Sequence, residues 1–378
     1  MTDLEHILPL WHELESAGAD YVLATVVETE GSSYRKPGAR MLLAQDGRRA
    51  GTISGGCLEA EVARRAFWLT SAGPAVERYS TAEDDGDMPY GSGCGGVVHL
   101  LLERKATAGP LLASLETAFH ARMPIAIATI LEGPQIGKRA LAAGSLTIDG
   151  ALQSQPDPAL QNLADLALEQ RTSSDQTVLL GDTPTRVWVD YRAARPGLWI
   201  FSAGDDAKPL LAFARELGWF VAVADGRSHL ATRERFPAAG EVRVLPINDL
   251  PAAAPQHLTL RPTDAAVVMT HSFEQDSRVL ASLLALPFPL AYLGVLGPQR
   301  RTRELLAAAA RLLHLPDIDD QVERWLSQLH APTGLDLGSD TPASIALSIL
   351  AEIQKAIHAA TGKPLREVRT AKEIVPQF

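Results

Sequence analysis

Three features of the chain predict an α/β protein of two domains, an N-terminal one with a mixed sheet over residues 1–194 and a C-terminal, doubly wound one over residues 195–378. The first hundred residues alternate helical and strand signals. From Leu198 the order becomes strand, glycine turn, helix and strand. The two cysteines both lie in glycine clusters of the first domain, Ser54-Gly55-Gly56-Cys57-Leu58-Glu59 and Gly91-Ser92-Gly93-Cys94-Gly95-Gly96.

Apolar Leu4, Ile7, Leu8, Trp11 and Leu14 recur at helical spacing over residues 3–17. Tyr21–Thr29 is β-rich and ends at Gly31-Ser32-Ser33. Arg40–Ala44 and Arg49–Ser54 flank Asp46-Gly47, a dipeptide suited to a tight hairpin turn, and the second strand runs into the first cysteine cluster. Leu58, Val62, Ala66 and Leu69 then mark a helix over Leu58–Leu69, which Cys57 directly precedes. Strands at Val76–Tyr79 and Val97–Leu102 bracket the second cluster and an acidic run, Glu83–Asp87, which reads as solvated surface. Residues 104–195 complete the domain, with Arg104–Pro110 as a link, a helix over Leu111–Ala121, and strands at Ile125–Leu131, Thr177–Leu180 and Arg186–Val189.

In the second domain Leu198–Phe201 is a short buried strand, Ser202–Ala207 a turn, Lys208–Leu217 a helix stopped by Gly218, and Phe220–Ala224 a strand ending at Asp225. Asp225 follows Gly204 by about 20 residues, where a Rossmann-like fold carries the acid that bonds a ribose hydroxyl. The phosphate fingerprint is imperfect: Ser202 stands at the first glycine, and Asp205-Asp206 bring negative charge to the turn. Further strands at Ala265–Thr270 and Leu290–Leu296 extend the sheet. Ligands of open α/β sheets bind beyond the carboxyl ends of the strands, where His271, Ser272, Asp276, Arg300, Arg301 and Arg303 fall. The arginines suit either a bidentate phosphate clamp or an exposed first helical turn. A last helix is expected over Thr341–His358, opened by Thr341-Pro342.

Composition sets the outer bounds. With 46% hydrophobic and 21% charged residues the chain reads as globular, and a net charge of −10 leaves no overall basic footprint for nucleic acid. No apolar run reaches the length of a membrane span, and the acidic N-terminus has no basic leader, so a cytoplasmic protein is expected. In a reducing compartment a standing Cys57–Cys94 disulfide is not expected.

Five segments in order carry a resemblance: GSSYRKPGARMLL (31–43), GTISGGCLEAEV (51–62), GSGCGG (91–96), YLGVLGPQRRTRELL (292–306) and HAPTGLDLGSDTPASIALSILAEI (330–353). Together they resemble the XdhC/CoxI family of xanthine dehydrogenase accessory and molybdenum-cofactor maturation factors. The resemblance implies an N-terminal domain with the Gly-Gly-Cys loop and a C-terminal Rossmann-like domain. It implies a chaperone rather than a catalyst, which binds molybdenum cofactor, supports its sulfuration with a cysteine desulfurase, and inserts it into a xanthine dehydrogenase-type hydroxylase. Where the family often has a second histidine after the strand-end Thr-His this chain has Phe273, and Thr333 stands at a usually aliphatic position.

The expected site follows the chemistry of that cargo, a polyanionic pterin dithiolene with a terminal phosphate, in some forms extended to a dinucleotide. Glycine loops form anion nests, arginines hold phosphate, and a thiolate is a soft metal ligand. Cys57, at a predicted helix start where the dipole lowers a thiol pKa from about 8.5, is the candidate molybdenum ligand or sulfur carrier. Ser32, Ser33, Arg35, Lys36, Arg40, Ser54, Gly55, Gly56, Cys94 and Gly95 are expected beside it, with Gly204, Asp225, Arg300 and Arg301 at a nucleotide site of the second domain. Two other classes stay open. One is an NAD(P)-dependent oxidoreductase with Asp225 on ribose and His271 as acid/base; the other is a scaffold in which the cysteines are dispensable. A homodimer is the default assembly.

Overall fold

The computed structural model describes residues 3–56, 58–80, 96–144 and 157–368. Cys57, Cys94, Gly95 and the acidic run Glu83–Asp87 lie outside the described residues. The chain divides into two units, Met1–Arg195 and Pro196–Phe378.

In the first unit, helix α1 (Asp3–Ser16) precedes strands β1 (Tyr21–Glu30), β2 (Arg40–Ala44) and β3 (Arg49–Gly51). Helix α2 (Glu59–Leu69) and strands β4 (Ala75–Ser80) and β5 (Val97–Arg104) complete a five-stranded antiparallel sheet of order β3-β2-β1-β5-β4. Helix α3 (Lys105–His120), strands β6 (Ile125–Ile130) and β7 (Arg139–Ala142), helix α4 (Pro158–Gln170), and strands β8 (Ser174–Leu180) and β9 (Thr183–Arg192) form the remainder. Their sheet has the order β7-β6-β9-β8 and is also antiparallel.

The mixed sheet expected in this unit is instead two antiparallel sheets, because every strand pair described in it runs antiparallel. Two further expectations shift for physical reasons. The stretch read as a link from Gly109-Pro110 is the end of β5 and the first turns of α3. Ala108, Leu111, Leu112 and Leu115 bury there against Tyr21 and Leu23, and that packing overrides the helix-breaking pair. The hairpin strand expected to reach Ser54 stops at Gly51, because the N–H groups of Ile53 and Ser54 donate to the Glu59 carboxylate instead of a neighbouring strand.

The second unit is a parallel sheet. Strands β10 (Gly197–Phe201), β11 (Phe220–Asp225), β12 (Glu241–Val244), β13 (Asp264–Val268) and β14 (Tyr292–Val295) stand in the order β12-β11-β10-β13-β14, with every pairing parallel. Helices α5 (Ala207–Glu216), α6 (Ala254–His257), α7 (Phe273–Leu284), α8 (Gln299–Leu312), α9 (Ile318–Leu326), α10 (Pro342–Ile357) and α11 (Leu365–Val368) connect and follow them. Alternation along β10 sorts the two faces: Trp199 and Phe201 pack under α7, α8 and α9, while Leu198 and Ile200 pack under α5 and α10. This is the Rossmann-like order, and its direction reverses between β10 and β13. The loops after those two strands therefore flank the crevice where such folds take ligands.

Candidate functional site

Around the first cysteine cluster the sequence builds a hydrogen-bond hub on one carboxylate. Glu59, at the first position of α2, is 4% exposed. Its Oε1 accepts from Thr52 Oγ1 at 2.6 Å, Ile53 N at 3.2 Å and Ser54 N at 2.8 Å, and its Oε2 accepts from Ser54 Oγ at 2.5 Å. Ser54 Oγ in turn accepts from Gly56 N and Leu58 N, both at 3.2 Å. The residues on either side of Cys57 are thus tied to a single hydroxyl. Burial presses the Glu59 carboxyl upward, but the Ser54 and Thr52 hydroxyls and the Ser54 N–H hold it below its ordinary value of 4.5.

The expected anion nest changes character here. Gly56 has a φ of +111°, as a glycine turn requires, but its N–H is already used on Ser54 Oγ and a carboxylate sits behind it. The turn Gly31–Lys36 brings the two cysteine clusters' described neighbours to one place. A Cβ on Gly55 would meet the Tyr34 ring at 3.6 Å, and one on Gly96 would collide with the Ser32 carbonyl oxygen. Ser33 Oγ donates to the Arg35 carbonyl at 2.8 Å, while Ser32 and Tyr34 are exposed. Arg35 donates to Thr52 O at 3.1 Å and pairs with Asp3, so it staples the turn. Half-buried Lys36 has no side-chain partner among the described residues. Arg40 is not on this rim. It is 3% exposed, donates to Asp190 Oδ2 at 2.7 Å and to Gly38 O at 3.1 Å, and ties β2 to β9.

Glu59→Gln tests the hub. An amide nitrogen in place of Oε2 would face a Ser54 hydroxyl that already accepts two N–H groups, and losing that partner is expected to destabilise the unit by about 1–3 kcal/mol. Because the folded carboxyl lies below its ordinary range, the stabilisation is complete above pH 4.5 and is lost as pH falls through the folded value. Thermal melts of both proteins should differ by a constant amount near neutrality, with the gap closing in acid; a gap that widens in acid would reject the assignment.

At the carboxyl end of the second sheet, Gly204 lies in the turn after β10, and a Cβ there would meet Asp206 Oδ1 at 2.6 Å. Asp206 Oδ2 stands 3.7 Å from His271 Nε2, across the reversal point, but the His271 side chain is 80% exposed. Asp205 pairs with Lys208 and Arg235 at 2.7 and 2.9 Å. Asp225 is fully buried and accepts from Ala203 N, Arg227 N, Arg227 Nε and Arg227 Nη2 at 2.7 to 3.0 Å. Both of its oxygens hold the strand-end turns, and neither stands open for a ribose hydroxyl. Arg300 is 90% exposed and among the described residues meets only Glu304 in its own helix, at 3.4 Å. Arg301 differs: it donates to the fully buried Asp276 at 2.6 Å. Burial pushes the Asp276 carboxyl up, against bonds from Thr270 and Arg301. Thr333 is explained by Tyr292, whose hydroxyl lies 2.5 Å from its Oγ1.

Comparison with known proteins agrees with this layout. Residues 14–80 match the XdhC and CoxI family, and residues 198–353 match the XdhC Rossmann domain. A Bacillus subtilis protein named as a probable subunit of xanthine dehydrogenase is 31% identical over 335 residues, 88% of this chain and 92% of that protein. The chain belongs to the XdhC and CoxI family. The molybdenum cofactor insertion chaperone PaoD of Escherichia coli is 27% identical over 93% of this chain and 88% of its own. A crystal structure titled as a xanthine dehydrogenase from Bacillus halodurans superposes with a TM-score of 0.70 at 27% identity, covering 98% of this chain and all of the other. Within this XdhC/CoxI chain, Glu59, Thr52, Arg227 and Gln275 bond the backbone or side chains of the candidate loops, and sequence reading did not single them out. Glu59 carried a signal, an acid in the first turn of the helix behind the cysteine; Arg227 and Gln275 carried none.

Proposed function

We propose that the protein is a molybdenum-cofactor maturation factor that binds the cofactor at the turn shared by the two cysteine clusters, supports its sulfuration, and passes it to a xanthine dehydrogenase-type hydroxylase. The observation that carries this reading is the Glu59–Ser54 hub, which holds the backbone on both sides of Cys57. A thiol in a glycine-containing loop suits capture of a thiophilic metal centre or of a persulfide sulfur. The names of two relatives, one for a xanthine dehydrogenase component and one for a cofactor insertion chaperone, favour the same reading.

The residues suit the cargo in part. Beside the turn, Lys36 offers a cation that is uncommitted among the described residues, and the exposed Tyr34 ring offers a flat face for a pterin. The Gly56 N–H, already bonded to Ser54, is not offered to an anion, so recognition rests on the thiol, the ring and Lys36. Cys94 and Gly95 belong to the same proposed site, with Cys94 in a secondary role. A cysteine desulfurase is the proposed sulfur donor, and the second domain the proposed holder of a nucleotide or phosphate.

Reconstitution tests the reading. An apo-hydroxylase mixed with molybdenum cofactor should gain activity only when this protein is added, and the gain should be largest with a desulfurase and cysteine present. Protein purified without oxygen from molybdate-fed cells should carry pterin fluorescence and molybdenum. A metal-free protein that turns over NADH, or a hydroxylase that activates equally well without it, would overturn the proposal in favour of an oxidoreductase or an inert scaffold.

A further inference from the structure

The turn after β10, where a Rossmann-like fold ordinarily takes phosphate, is poorly suited to one here. Asp206 folds its carboxylate over Gly204 at the start of α5, and its Oδ1 is buried without a hydrogen-bond partner among the described residues. An incoming phosphate would meet that charge. The start of α7, on the other side of the reversal point, has the opposite character.

Gln275, in the first turn of α7, is 6% exposed. Its Oε1 accepts from Gly226 N at 3.3 Å, which fixes which end of the amide is oxygen, since the reverse orientation would set two donors face to face. Among the described residues its Nε2 is left buried and unbonded beside the Asp225-Gly226-Arg227 turn. An orphan donor of this kind is uncommon in a native protein and calls for an acceptor from outside. Arg227 stands next to it with Nε and Nη2 on Asp225, and Arg301 approaches the adjacent Asp276 with one Nη2. Arg227 Nη1 and the Nε and Nη1 of Arg301 have no partner among the described residues. The N–H groups of Phe273 and Glu274, which open α7, are likewise unbonded among the described residues, while Glu274 turns outward to Arg278 at 3.3 Å.

We propose that the second domain binds a phosphate monoester, as carried by a nucleotide or a phosphorylated pterin, at the start of α7 through Arg227, Gln275 and Arg301. Asp225 and Asp276 each grip one edge of a guanidinium and fix its direction, leaving the other edge for the ligand. The helix dipole and the two free N–H groups favour the same charge. The phosphate site has thus moved from the glycine turn before α5 to the strand-end turn before α7. This inference rests on the maturation-factor reading for the identity of its ligand, but the binding test stands apart from it.

Gln275→Glu is the decisive variant. It keeps the length of the side chain and an acceptor for Gly226 N, and replaces the orphan donor with a negative oxygen. Calorimetry on the folded variant with inorganic phosphate, CMP and AMP should give affinities at least about tenfold weaker than wild type. Should that variant fail to fold, Gln275→Met, which is uncharged and of similar length, should still weaken binding by about threefold or more. CMP or AMP binding tighter than inorganic phosphate assigns a nucleotide, and equal affinities assign the phosphate group alone. The site is overturned if wild-type protein binds none of the three at millimolar concentration. It is also overturned if folded Gln275 variants bind as wild type does while Asp206→Asn tightens binding, which would return the site to α5. A protein that activates a hydroxylase yet binds no phosphate loses this clamp and keeps its proposed function; one that binds phosphate but activates nothing keeps the clamp and loses the function.

Discussion

Asp190→Ala is expected to destabilise the first unit by about 3–5 kcal/mol, the cost of leaving one member of a buried ion pair without its counter-charge. Arg40 and Asp190 have side chains only 4% and 3% exposed, and they meet at 2.7 Å. Asp190 also receives Arg192 Nε at 3.0 Å, and Arg192 reaches back to the Gly38 carbonyl. Burial presses the Asp190 carboxyl upward, but Arg192 and Arg40 together hold it below its ordinary range. Removing it leaves the Arg40 guanidinium with one carbonyl, and its Nε already lacks a partner. Chemical denaturation followed by circular dichroism measures the loss. A change below about 1 kcal/mol would mean that water reaches Arg40 and that the pair is not the junction of β2 and β9. Arg40→Ala is expected to be milder, because Asp190 keeps Arg192.

Cys57→Ser is expected to leave the melting temperature unchanged and to lower cofactor loading or hydroxylase activation by about tenfold or more, through loss of a soft ligand. The separation of effects is the test. The fold around this loop depends on Glu59 and Ser54, whose bonds run to backbone N–H groups and to the Thr52 hydroxyl. Cys94→Ser should give a smaller defect. Activation that survives Cys57→Ser at the wild-type rate would remove the thiol from the chemistry and favour the scaffold. A variant that loses activation together with stability would point instead to a packing role.

How much of the site was readable differed between the units. The glycine–cysteine clusters, the Ser-Ser-Tyr-Arg-Lys turn and the strand-end positions around Gly204 and His271 were all visible in the chain, because each is a run of neighbours with its own chemistry. The partners of those residues were not. Arg35 and Arg40 look alike in sequence, yet one staples an exposed turn to Asp3 and the other is buried on Asp190, about 150 residues away. Arg300 and Arg301 are adjacent, and helical geometry sends the first into solvent and the second onto Asp276.

Taken by itself, the sequence left β7, α4 and β12 unread but determined the α/β class, the opening elements of each domain, the Rossmann-like start after Leu198 and the family. Those rest on local periodicity, on glycine at turns and on contiguous motifs, which act over a few residues. Tertiary structure alone decided that Glu59 fixes the loop around Cys57, that Asp225 is engaged by Arg227 and Ala203, and that the open donors gather at α7 instead of α5. Burial and charge pairing set these outcomes. Both depend on which distant segments the sheet brings together, and a linear chain does not record that distance.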